Sequence, residues 1–159
     1  MSSDADIVII GGGMVGACLA SLLVQRAIVV AERVVLIESH PPSRPASDAE
    51  IDLRVSALSR ASERVLRAAG AWAAIAVERV CAFERMCVWD EAGRPDGQGS
   101  IQFDCATLGE PNLGYIVENR RIQWALLQQA RAQGVRIVQG QVSGLQRGPR
   151  AMTIELANG

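Results

Sequence analysis

From Ile7 to Val24 the chain reads IVIIGGGMVGACLASLLV without a single charge, a run close to the roughly 20 residues a membrane-spanning helix requires. Three readings compete for it: a helix in lipid, a signal sequence, or a strand and a helix joined by a glycine turn. A signal sequence carries positive charge ahead of its apolar run, whereas Asp4 and Asp6 precede this one. Three consecutive glycines, Gly11 to Gly13, would cost a continuous helix roughly 3 kcal/mol of propensity. The pattern also changes within the run. Ile7 to Ile10 is a short block of β-branched residues, expected as a strand buried on both faces. Met14 onward is small and helix-compatible through Val24. Strand, turn and helix is the reading that fits.

The turn Gly11-Gly12-Gly13-Met14-Val15-Gly16 satisfies G-x-G-x-x-G. In such a turn Gly11 allows the sharp departure from the strand, and Gly13 lets a diphosphate approach the backbone without meeting a Cβ. Gly16 lets the helix pack closely on the sheet. The diphosphate then faces the free N–H groups and positive end of the helix, next to Met14 and Val15. The motif gains weight when a second strand ends in an acid about 20 residues on. Here Val34-Val35-Leu36-Ile37 leads into Glu38, 22 positions beyond Gly16. A carboxylate there accepts the hydroxyls of an adenosine ribose and repels a 2′-phosphate, so FAD or NAD is expected as the tightly held nucleotide, and not NADP.

Composition narrows the remaining options. With 159 residues, 49% hydrophobic and 21% charged, the chain can bury a core of its own. Its formal net charge is −1, and lysine is absent. No basic block suggests nucleic acid or an anionic membrane face. Cys18, Cys81, Cys87 and Cys105 form no C-x-x-C pair and His40 is the only histidine, so no metal site is expected. His40 lies beside two prolines without an orienting partner, which favours a solvated loop residue over a general base. Asp90 with Glu91, and Glu32 beside Arg33, read as solvated charges.

Beyond Glu38, SHPPSRPASDAE reads as a loop. Ser59 is a suitable N-cap for a helix ending at Gly70, with a second short helix from about Ala71. FERMCVWD alternates as one strand, EAGRPDGQG as a turn and SIQFDCA as a returning strand. YIVEN is a short buried strand, followed by the amphipathic RRIQWALLQQARAQG, the strand VRIV, and a hairpin of QVSGLQR and MTIELANG across Gly148-Pro149.

Three segments, IVIIGGGMVG, DLRVSALSRASERVLRAAGAW and LGYIVENRRIQWALL, resemble the flavoprotein aromatic hydroxylases related to p-hydroxybenzoate hydroxylase, and within them the ubiquinone-biosynthesis branch. The resemblance implies an α/β, Rossmann-like FAD-binding fold with a parallel sheet and flanking helices, plus the start of a second, substrate-covering β-sheet. Residues 1–80 would be the first part of the FAD-binding domain, 81–110 the start of the substrate sheet, and 111–159 the FAD-binding domain continued. It implies tightly bound FAD, NAD(P)H as transient reductant, O2, and a polyprenylated phenol or quinol as substrate. Arg54 would lie against FAD near its diphosphate or flavin edge. Asn119 matches a polar position that reaches the cofactor, although asparagine suits a helix N-cap equally well. Val142 matches a position whose backbone meets adenine. No catalytic residue is assigned.

The same resemblance sets further expectations. Family members run well beyond ELANG and there carry an Asp-Gly and a Gly-Asp word that serve the cofactors. The chain is therefore expected to be the N-terminal part of a longer enzyme, inactive by itself, cytoplasmic, in peripheral contact with a membrane and with a ubiquinone-biosynthesis complex as partner. The RAIVVAE stretch makes the path from the glycine turn to Glu38 a few residues longer than the family pattern. A non-catalytic dinucleotide-binding module is the alternative, and an NAD-dependent oxidoreductase a weaker one, because Tyr115 stands without a lysine.

Overall fold

The computed structural model describes residues 5–157. Asp4, and Asn158 and Gly159 at the end of the expected last strand, lie outside the described residues. The decisive stretch folds as strand β1 (Ile7–Ile10), the glycine turn, and helix α1 (Met14–Gln25). Strand β2 (Val34–Glu38) runs parallel to β1, pairing Ile7 with Val34 and Ile10 with Ile37. Strand β8 (Arg136–Gln139) lies parallel on the other side of β2, giving the order β1-β2-β8.

This order corrects one expectation. The strand buried on both faces is β2, in which Val34 to Ile37 are all buried. In β1, at the sheet edge, only Ile9 is buried, while Val8 and Ile10 are 37% and 53% exposed. A β-branched block can report a strand, but its burial depends on neighbours that the block does not encode.

Helix α1 stops at Gln25, so the RAIVVAE stretch lies in the connection to β2 and not in the helix. The helix ends in a Schellman motif, with Ala27 N–H donating to Val24 O at 2.9 Å and Ile28 N–H to Leu23 O at 3.0 Å. The chain then makes a 3-10 turn at Ala31–Arg33 before β2. Ala27 occupies the left-handed position of the motif, at φ 52°, where a Cβ is unfavourable. Ala27→Gly is therefore expected to stabilise the chain by about 0.5–1 kcal/mol, read as a higher urea midpoint with unchanged slope.

A second sheet, of order β3-β7-β4, pairs β3 (Val55–Ser59) and β4 (Val80–Phe83) antiparallel to β7 (Gly114–Glu118). Ser59 caps α2 (Arg60–Ala68), its hydroxyl accepting from Ser62 N–H at 3.2 Å. Helix α3 (Trp72–Ala76) follows, and Trp72 stacks obliquely on Tyr115 at 5.1 Å. The expected single strand FERMCVWD divides at Glu84. Its start continues β4, and β5 (Arg85–Val88) turns to pair with β6 (Ile101–Asp104) as a separate ribbon. Helix α4 (Asn119–Ala132) packs across α1, burying Ile122, Leu126, Leu127 and Ala130. The chain closes with the expected hairpin of β9 (Val142–Arg147) and β10 (Met152–Leu156). One core joins the two sheets through Ile9, Ala17, Leu36, Ile75, Val117 and Leu126.

Candidate dinucleotide site

Three strand ends converge at the carboxyl edge of the parallel sheet, where open α/β sheets take their ligands. Gly11 follows β1 and donates to Ile37 O at 2.8 Å, while Gly140 follows β8 and donates to Glu38 O at 3.1 Å. Gly11 adopts φ 99°, the left-handed region in which glycine alone is unstrained. Gly13 is the N-cap of α1, and the first helical turn has neither a capping side chain nor an acid. Its amides and dipole are thereby left for an anion.

The glycines divide the work as their positions dictate. A Cβ placed on Gly13 would meet nothing within 4 Å, so the space in front of this backbone is open. A Cβ on Gly16 would collide with the backbone oxygen of Gly11. Of the residues between them, Met14 packs on the core and Val15 is 84% exposed at the mouth of the turn.

Glu38 is held facing this turn. Its Oε2 accepts from Gly12 N–H at 2.6 Å, and Oε1 accepts from His40 N–H at 2.8 Å and Ser39 Oγ at 3.3 Å. A carboxylate has about four acceptor positions, so one remains, and the long Ser39 bond is the readiest to exchange for a ribose hydroxyl. His40 is exposed, and its ring Nδ1 lies 3.0 Å from Ser39 Oγ. Val142 begins β9 two residues after Gly140 and pairs with Leu156 beside a bulge.

Arg54 and Asn119 come together at the adjoining end of the second sheet. Asn119 N–H donates to Arg54 O at 2.9 Å, and Asn119 Oδ1 accepts from Ser56 Oγ at 2.6 Å. The N-cap of α4 is Glu118, so the Asn119 side chain cross-links β3 to α4 instead of capping the helix. The Arg54 side chain is exposed. One turn further along α4, Gln123 Nε2 donates to Gly12 O at 2.9 Å. Gln123 thus ties the helix that begins at Asn119 to the glycine turn. Sequence reasoning missed it, because a glutamine within an amphipathic helix carries no signal of a distant backbone partner.

A second missed group is Glu118, 3% exposed. Its carboxylate accepts from Asp52 N–H at 2.9 Å and Arg121 Nε at 2.5 Å, with Arg79 at 3.2 Å and Arg120 at 3.4 Å. Burial pushes this carboxyl up, but the Asp52 amide, Arg121 and Arg79 outweigh burial and hold it at about 2. The available signal was an acid ending a buried strand three residues before an arginine. Burial alone pushes the Cys18 thiol up, which keeps it protonated and unreactive. A cavity of about 350 Å³ lies elsewhere, between Arg44–Pro45, α3 and the Arg121–Gln128 face of α4, and shares no residue with the glycine turn.

No protein-family model matches the chain. It is 35% identical to the 3-demethoxyubiquinol 3-hydroxylase of Escherichia coli over 160 residues, covering 99% of this chain and 39% of that protein. It is also 35% identical to the mouse mitochondrial ubiquinone biosynthesis monooxygenase COQ6 over 133 residues, 83% of this chain and 27% of the relative. The chain therefore spans well under half the length of these relatives. Among solved structures, aklavinone-11 hydroxylase in complex with FAD and aklavinone superposes with a TM-score of 0.62 at 20% identity, covering 99% of this chain and 30% of that one. The glycine turn, the oriented acid and the sheet order agree with these likenesses: the chain is similar along nearly its whole length to the ubiquinone-biosynthesis hydroxylases and shares the fold of a hydroxylase solved with FAD.

Proposed function

We propose that this chain is the FAD-binding portion of a monooxygenase that hydroxylates a polyprenylated phenol or quinol in ubiquinone biosynthesis. The observation that carries the reading is the open space before Gly13 at an uncapped helix start, with Glu38 fixed beside it. FAD fits the donor set: the amides around Gly13, Met14 and Val15 take the diphosphate, and Glu38 the ribose hydroxyls. The backbone at Val142 takes adenine. Gly11 and Gly16 shape the turn, and Arg54 and Asn119 flank the cofactor from the second sheet. When bound, FAD would accept two electrons from NAD(P)H and deliver them to O2, one oxygen atom going to an electron-rich ring and the other to water. The residues described here bind and orient, and none is assigned a proton transfer.

The strands β5 and β6, within residues 81–110, begin the surface that covers the aromatic substrate in this reading, and a complex of ubiquinone-biosynthesis proteins is its setting. A cytoplasmic location with peripheral membrane contact suits a greasy substrate and four unpaired cysteines. Among the described residues no helix is long and apolar enough to cross a membrane.

Titration with FAD, followed by flavin fluorescence and by the flavin spectrum after gel filtration, tests the reading. Gly13→Ala is expected to weaken FAD at least tenfold, about 1.4 kcal/mol, with an unchanged melting temperature because its methyl enters empty space. A stoichiometric NAD complex without flavin affinity would overturn the assignment.

A further inference from the structure

The segment between residues 46 and 54 has no helix or strand to hold it, and Leu53 within it is 99% exposed. Apart from the Arg54 carbonyl, it is nevertheless tied down at four backbone positions. Arg121 donates to Ala46 O at 3.0 Å, Arg79 to Ala49 O at 2.7 Å, and Arg120 to Glu50 O at 2.9 Å. The fourth is Asp52 N–H, which donates to Glu118 Oε1. The same three arginines converge on the Glu118 carboxylate. Glu78 and Asp52 face the cluster from outside, Glu78 on Arg121 and Asp52 on Arg120.

A buried acid with three guanidinium groups is a costly way to hold two elements together, because each charge loses water that apolar packing would not require. Its return is geometric, since planar guanidinium forks fix direction as well as distance. The fixed segment ends at Arg54, whose carbonyl is bonded to the start of α4 and whose exposed side chain meets no partner among the described residues. Ordering such a segment during folding removes that cost from a later binding step.

We propose that Glu118 is a positioning residue, which fixes the 46–54 segment through Arg79, Arg120 and Arg121 and thereby presents Arg54 to a diphosphate seated in the glycine turn. The final step of this inference rests on the flavin reading above, and the clamp itself does not. Two readouts on the whole chain separate them: hydrogen exchange by mass spectrometry over residues 46–54, and FAD affinity. E118Q is expected to speed exchange in that segment at least tenfold and to weaken FAD at least tenfold. R54A is expected to weaken FAD while leaving the segment protected. In the double variant E118Q adds nothing to the loss caused by R54A, because both remove the same contact. Unchanged exchange in E118Q overturns the clamp, and additive losses of affinity overturn its action through Arg54. A wild-type chain that takes up no FAD overturns the flavin reading, and exchange then decides the clamp alone. Should E118Q not fold, R120M carries the same expectations, since Arg120 is partly exposed and its loss frees the Glu50 end without emptying the carboxylate site.

Discussion

Gly16→Ala is expected to lower the melting temperature by about 10 °C and to abolish FAD uptake. The added Cβ would collide with Gly11 O and crowd Ile9 Cγ2 at 3.2 Å. Two of the three nearest atoms are backbone, so no flexible side chain can swing aside, and either α1 or the turn must shift. Overpacking of this kind costs about 1–3 kcal/mol and occasionally more, and a domain of this size loses about 2–4 °C per kcal/mol. The informative comparison is with Gly13→Ala, three residues away in the same motif. One methyl should strike the fold and through it the ligand, the other the ligand alone. Circular-dichroism melts of both variants with and without FAD check this. A wild-type melt for Gly16→Ala would remove the close contact on which the turn's shape depends.

Acid should destabilise the chain through Glu118 more than through any other described carboxylate. Its pKa is lowered from the ordinary 4.5 to about 2 in the fold, so the folded state keeps it charged where the unfolded state begins to protonate. The stabilisation is complete above about pH 4.5 and is lost as pH falls toward 2. By linkage it is of order 3 kcal/mol. Glu118→Gln should flatten this part of the profile while lowering stability at neutral pH, because the arginines then lose their shared anion. Urea midpoints measured between pH 2 and 6 for both proteins provide the check, and parallel profiles would count against the assignment. Asp6 also titrates low because Arg33 hydrogen-bonds it, but this exposed pair adds little.

Much of this architecture was legible because it is written in local patterns. The β-branched blocks of β1 and β2, the Ser59 cap, the amphipathic α4 and the turn at Gly148 each depend on residues close in sequence. The two strand-level differences share another cause. Alternation reports that β4 and β5 are extended, yet Phe83 and Arg85 obey the same period, so nothing local marks the change of partner at Glu84. Burial of β1 depends likewise on what lies beside it. The site divides in the same way. Gly11, Gly13, Gly16 and Glu38 were readable because a turn and a strand end dictate their types. Gln123 was not, because its partner Gly12 lies 111 residues away, and Glu118 offered only its arginine three residues on, its partner Asp52 lying 66 residues away. Arg54, Asn119 and Val142 came from resemblance, and no local pattern of charge or periodicity singles them out.

The peptide units of Gly12 are tethered at both ends, the N–H by Glu38 and the C=O by Gln123. The loop proposed to receive the nucleotide is therefore stitched to β2 and to α4 before any ligand arrives. Capture then requires no local ordering step, so the on-rate should follow diffusion and orientation instead of loop closure. Slack in either stitch would surface as slower loading of the cofactor.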